Sequence, residues 1–188
     1  LLRQLPAAIC GDLEQLPLAG GSIDFAWSNL ALQWVNALPR AFAEMRRVLA
    51  PGGLLLFTTF GPDTLKELRA AQADTDGRTH VSGFTDMHDI GDMLVQCGFA
   101  DPVIDMETFT LTYRDVTSLM YDLKAIGARN AAADRPPALS GKSWLAAVTR
   151  NYEPFRRDGQ LPATFEVIYG HAWCPQLRRG PGGRPVID

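Results

Sequence analysis

The sequence predicts an α/β fold: a parallel sheet with an antiparallel pair at one edge. Three observations lead there. Residues 23–28 and 54–60 are short apolar runs without alternation, the pattern of parallel strands buried on both faces. Between them Leu38, Phe42, Met45 and Leu49 recur at helical spacing, so strand, helix and strand form a βαβ unit, for which a right-handed crossover is the rule. The last third carries long runs rich in Thr and aromatics, without tight βα spacing, which suits an antiparallel pair.

Each element has a local reason. "AAIC" at 7–10 reads as a short strand running into the turn formers of "GDLEQLPL". The helix that follows the strand at 23–28 takes Asn36 as N-cap and Pro39 in its first turn. It ends at Pro51-Gly52-Gly53, with Arg46 and Arg47 on its C-terminal dipole. After the strand at 54–60, Thr64 and Glu67 have the spacing of a capping box for a helix over "DTLKELRAAQA". A polar loop over 74–84 leads to a helix at about 86–97, capped by Thr85, stopped by Gly98, with Met87, Ile90, Leu94 and Cys97 on one face. "PVIDMETFTLTY" is a long strand. "DVTSLMYDLKAIGA" is an amphipathic helix with Val116, Leu119, Met120, Leu123 and Ile126 inward, "SGKSWLAAVTRNYEPFRRDG" a further helix, and "ATFEVIY" at 163–169 an alternating strand. Residues 175–188, rich in Pro and Gly with three arginines, are expected to be disordered.

Composition narrows the function classes. The chain has 188 residues, 46% hydrophobic and 21% charged, ordinary for a soluble globular domain, and no run approaches the roughly 18 apolar residues of a membrane span. A formal charge of -3 gives no overall drive towards nucleic acid. Cys10, Cys97 and Cys174 are widely spaced, outside any C-x-x-C or zinc pattern, and are read as buried or half-buried free thiols in a reducing cytoplasm; no metal site is expected. Phosphate-loop, nucleophile-elbow, zinc-protease and dinucleotide signatures do not occur.

Ligands of open parallel sheets sit at the carboxyl ends of the strands. There the sequence offers Gly11-Asp12-Leu13-Glu14, Ser28-Asn29-Leu30 and Thr59-Phe60-Gly61-Pro62. An acidic acceptor, small residues that expose backbone, and an aromatic suit a flat ligand that bears an amine.

"GDLEQLPL", "IDFAWSNLALQWV", "RVLAPGG" and "LLLFTTFG", in this order, resemble the C-terminal part of a Rossmann-like class I S-adenosylmethionine-dependent methyltransferase. "SNLALQW", "TTFGPDTLKELR", "DLKAIGARN" and "LPATFEVIYGHAW" are similar to the biotin-pathway malonyl-[acyl-carrier protein] O-methyltransferases within that superfamily. The likeness covers about residues 5–174, so 1–174 is expected to be a partial methyltransferase domain followed by the tail at 175–188. The family's first strand, glycine-rich loop and ribose-binding acid would precede "GDLE". If the molecule begins at Leu1, apolar sheet faces lie open and no cofactor binding is expected.

For S-adenosylmethionine the resemblance implies that Asp12 accepts from the adenine amine and the Leu13 N–H meets the ring. Ser28, Asn29 and Leu30 would line the methionine end. For the acceptor it implies Trp34 and Phe60 as walls, with Lys124 and Arg129 holding a carboxylate, Arg129 first because its guanidinium binds in bidentate fashion; Trp34 stands equally as a core aromatic. A malonyl carboxylate is already ionised at neutral pH, so no general base is expected. The implied partner is malonyl-acyl carrier protein, met by Arg156-Arg157 or Arg178-Arg179, without nucleic acid or membrane. "GPDTLKELR" and "DGQLPATFEVIYGHAW" also resemble methyltransferase-like assembly factors of respiratory complex I, whose relatives hydroxylate a protein arginine; a noncatalytic fragment is the third reading.

Overall fold

The computed structural model describes residues 8–76, 83–127, 142–176, 178–179 and 185–186. In chain order these hold β1 (Ile23–Asn29), α1 (Leu38–Val48), β2 (Leu49–Phe60), α2 (Lys66–Asp76), α3 (Met87–Gln96), β3 (Ala100–Tyr113), α4 (Val116–Ala125), α5 (Lys142–Tyr152), β4 (Leu161–Trp173), β5 (Arg178–Arg179) and β6 (Pro185–Val186). Four strands form one sheet in the order β1-β2-β4-β3, with β1 and β2 parallel. Gly52 and Gly53 exchange backbone hydrogen bonds with Cys174, whereas Gly61, at the other end of β2, donates to Glu166, so β4 runs antiparallel to β2. The sheet is therefore mixed, as expected, with β4 and β3 neighbours on one side.

The chain divides into two compact units. The first comprises the described residues up to Thr59, Asp86–Met106 and those from Ile168 onward; the second comprises Phe60–Thr85 and Glu107–Val167. In the first unit α1 and α3 cover one face of the strands, and Phe42, Met45, Leu55, Phe57, Ile90, Leu94 and Ile168 form its core. Phe42 and Phe57 meet at 5.5 Å between ring centres. The other face carries Phe25, Trp27 and Leu56 exposed, so β1 alternates instead of being buried on both faces. Among the described residues of this unit, helices cover these strands on one face only.

Local signals misplace several boundaries. Residues 8–10 are irregular where a strand was expected. Pro51-Gly52-Gly53 lie inside β2: α1 ends at Val48, and the register passes from Ile23↔Leu49 to Phe25↔Leu54, so the extra residues bulge out, with Gly52 at φ 81°. α3 is capped by Asp86, whose carboxylate accepts from the His88 N–H, not by Thr85. That bond, then the His88 side chain, holds the Asp86 carboxyl below its usual range.

In the second unit α2 packs mainly on α5, around Leu68, Leu119, Val148, Tyr152 and Leu161. Tyr152 is fully buried and donates to the Pro162 carbonyl at 2.9 Å; burial, followed by the Glu67 charge, raises its phenol pKa. The capping box does not form. Thr64 Oγ1 donates to the Glu166 carbonyl at 3.0 Å, while the buried Glu67 carboxylate accepts from the Thr164 N–H at 3.0 Å and from the Thr164 hydroxyl. Both side chains satisfy β4 rather than their own helix. Ile126 is exposed, since α4 ends at Ala125 and Gly127 turns the chain at φ 80°. In the segment expected to be disordered, Arg178–Arg179 pair antiparallel with Pro185–Val186; residues 177, 180–184 and 187–188 lie outside the described ones.

Candidate functional site

The carboxyl end of β1 concentrates the polar chemistry of the first unit. Ser28 is buried at 8% exposure, and Asn29 beside it points its Oδ1 at the Thr58 hydroxyl, which donates to it at 2.7 Å. Leu30 follows with φ 47°, a left-handed conformation that costs a branched side chain energy. Its N–H donates to Thr58 Oγ1 at 2.9 Å and to the Thr58 carbonyl at 3.1 Å, and its own carbonyl accepts from Gln33 Nε2 at 2.6 Å. Gln33 lies in a 3-10 turn, Leu32–Trp34, anchored by the buried Leu32.

Two buried polar atoms at this strand end, Ser28 Oγ and Gln33 Oε1, have no hydrogen-bond partner among the described residues. Buried polar groups are nearly always paired, and leaving one unpaired costs about 1–3 kcal/mol. Unpaired polar atoms near the end of a parallel strand suit a polar ligand group.

The loop carrying Asp12 is built against α1. Asp12 is exposed, and its carboxylate accepts from the Glu14 N–H at 2.9 Å, closing a tight turn in which the Gln15 N–H also reaches the Asp12 carbonyl. Leu13 is partly buried against the core of the first unit. Glu14, not Asn36, serves the start of α1: its Oε1 accepts from the Asn36 and Ala37 N–H groups at 2.8 and 3.0 Å, and Arg40 stands 3.7 Å from Oε2. Glu44 accepts from the Leu16 N–H, and Arg47 donates to the Leu16 and Leu18 carbonyls, so the loop is tied to α1 throughout. Glu14→Ala should destabilise the protein by about 1–2 kcal/mol, read by chemical denaturation, by exposing amides at a helix start; an unchanged midpoint would refute this role.

Ser28, Asn29 and Leu30 thus stand together with Thr58 and Gln33, which sequence reasoning missed. The signal was present in "LLLFTTF", where Thr58 and Thr59 interrupt an apolar strand. Trp34 is 48% exposed, so its reading as a core aromatic falls. In the second unit, Phe60 packs edge-on against Phe84 at 5.7 Å, and tilted against Phe165 at 5.9 Å, between ring centres. Lys124 is exposed in the last turn of α4. Arg129 lies outside the described residues.

Arg156 is no free docking charge: it pairs with Glu153 and donates to the Arg114 and Gly159 carbonyls. A shallow depression of about 580 Å³ on α5 is lined by Thr117, Leu145, Thr149, Arg150 and Glu153. Of the thiols, Cys174 is buried and Cys97 half-buried, while Cys10 is exposed, contrary to expectation. Burial pushes the Cys97 thiol pKa up. Among the described residues no His/Cys/Asp/Glu group has the arrangement of a metal site, and no helix is long and apolar enough to cross a membrane.

Residues 2–57 match a family model described as a methyltransferase domain. Over 185 residues, 98% of this chain, the sequence is 58% identical to a malonyl-[acyl-carrier protein] O-methyltransferase of Gallionella capsiferriformans, covering 63% of that protein. With the protein of the same name from Methylovorus sp. it shares 61% identity over 171 residues, 91% of this chain and 58% of the relative. The chain thus spans about three fifths of the length of these curated relatives. Among solved structures, a protein from Bacillus halodurans C-125 described as a candidate methyltransferase superposes with a TM-score of 0.57 at 17% identity, over 88% of this chain and 76% of that one. The YcgJ protein from Bacillus subtilis gives 0.55 at 13%, over 88% and 70%. These two likenesses bear on the fold, and the α/β class agrees with them. The methyltransferase resemblance read from the motifs extends over nearly the whole chain.

Proposed function

We propose that this chain, a relative of the malonyl-[acyl-carrier protein] O-methyltransferases over nearly its entire length, belongs to a cytoplasmic enzyme that methylates the free carboxylate of malonyl-acyl carrier protein. The reading rests above all on 58% identity across 98% of the chain with a protein of that name. The product is a neutral ester, which would let a short diacid enter the acyl-chain extension that leads to biotin.

S-adenosylmethionine, when bound, supplies an electrophilic sulfonium methyl group. The residues at the end of β1 fit its amino-acid end: Ser28 Oγ and Gln33 Oε1 are buried and have no partner among the described residues, and the Asn29 side-chain amide lies beside Ser28. Asp12, exposed on a loop fixed to α1, is the acceptor assigned to the adenine amine, with the Leu13 N–H assigned to the ring.

The chain's own residues have a short task. Ionised below neutral pH, the acceptor carboxylate needs no base. Because the acceptor is anionic and the donor cationic, forming the O–CH3 bond as the S–CH3 bond breaks would leave a neutral ester and a neutral thioether, so the residues' task is to exclude water and hold the carboxylate in line. Trp34 and Phe60 are assigned as apolar walls, and Arg129, with Lys124, as the cations that hold the carboxylate.

The test is incubation of the full-length gene product with methyl-labelled S-adenosylmethionine and malonyl-acyl carrier protein. Label in a base-labile ester on the carrier is the expected result. Cofactor binding without transfer would refute the acceptor, and absence of cofactor binding would refute the whole reading.

A further inference from the structure

We propose that Thr58 and Gln33 are positioning residues: together they clamp Leu30 in its left-handed conformation and so set the end of β1 for the cofactor. This rests on the reading of Ser28–Leu30 as the cofactor contact.

The observation is a strained residue tied on both sides. Leu30 has φ 47°, one of four non-glycine residues with positive φ among the described ones, and it stands where β1 leaves the sheet. Such conformations persist where the surroundings over-determine them, and they gather at binding sites. Here the surroundings are specific. Thr58, the β2 partner of Asn29 in the parallel register, accepts from the Leu30 N–H through Oγ1 and donates that hydroxyl's proton to Asn29 Oδ1. One hydroxyl thereby fixes the Asn29 side chain and shares the Leu30 N–H with the Thr58 carbonyl at 3.1 Å. Gln33 holds the other side, donating from Nε2 to the Leu30 carbonyl, which leaves its Oε1 buried and without a partner among the described residues.

The chemistry explains the residue types. A hydroxyl at 58 is donor and acceptor at once, which valine, of the same shape, cannot be. An amide at 33 donates to the Leu30 carbonyl while its oxygen stays available to a ligand N–H or ammonium, which a carboxylate or an aliphatic chain cannot combine. Released from the clamp, Leu30 would relax towards negative φ, and the Asn29 and Gln33 side chains would lose their fixed placement at the end of β1.

The experiment measures S-adenosylmethionine binding to the full-length gene product by calorimetry, with thermal melting alongside. Thr58→Val should weaken binding by about tenfold, the size of a lost clamp on a strained residue, while shifting the melting temperature only slightly. Thr58→Ser should stay within about threefold of the parent, because the hydroxyl remains. Leu30→Gly added to Thr58→Val should recover part of the loss, because glycine adopts positive φ without a clamp. A role in stability alone would not produce that recovery. If Thr58→Val binds as the parent does, or if Leu30→Gly restores nothing, the clamp is refuted and the cofactor reading stands. If the parent itself does not bind S-adenosylmethionine, both fall.

Discussion

Replacing Phe57 by alanine is expected to cost about 3–5 kcal/mol of stability, and adding a single methyl at Gly170 about 1–3 kcal/mol, because the two positions form one packing unit. Phe57 is 1% exposed and faces Phe42 across the core of the first unit. On β4 Gly170 leaves room for that ring: a Cβ there would lie 2.2 Å from Phe57 Cζ and 2.5 Å from Cε1, closer than any carbon contact allows. The glycine is required by space, not by backbone angle. The two effects should therefore not add. In a Phe57→Leu background, where the far edge of the ring is gone, Gly170→Ala should lose most of its cost. Urea denaturation of the four variants measures the coupling; an equal cost of Gly170→Ala in both backgrounds would refute the packing account.

Arg129→Ala should lower kcat/KM for malonyl-acyl carrier protein by about 10–100-fold, the worth of a charge-assisted hydrogen bond to a carboxylate. The loss should fall on the acceptor and leave S-adenosylmethionine affinity in place, since the assigned cofactor contacts lie elsewhere in the sequence. Arg129→Lys should recover only part, because a point charge cannot hold both carboxylate oxygens as a planar fork does. A variant that methylates the carrier as well as the parent would remove Arg129 from the site. An equal loss in cofactor affinity would assign it to structure instead.

How far the sequence carried differs from element to element. α1 and β1 were legible because apolar periodicity is a short-range signal: Phe42 and Met45 must face a core whatever that core contains. Its cap was not legible. Asn36 has the residue type of an N-cap, but Glu14, distant in sequence, takes the amides instead, and side-chain reach over that distance leaves no local pattern. Thr64 and Glu67 teach the same lesson from the other direction: their spacing is right for a capping box, yet β4 offers Thr164 and the Glu166 carbonyl as partners. The candidate site was half visible. Ser28 and Asn29 stood out as polar residues ending an apolar run, while Thr58 and Gln33 became meaningful only once the parallel register set Thr58 beside Asn29.

By itself the sequence determined the α/β class, the βαβ unit and the methyltransferase resemblance, because these rest on periodicity and on motifs that are contiguous along the chain. Tertiary structure alone decided which face of β1 stays open, which groups cap α1, and how Leu30 is held. Those outcomes depend on hydrogen bonds and packing between residues tens of positions apart, where a local preference worth about 1 kcal/mol yields to whatever partner the fold brings within reach.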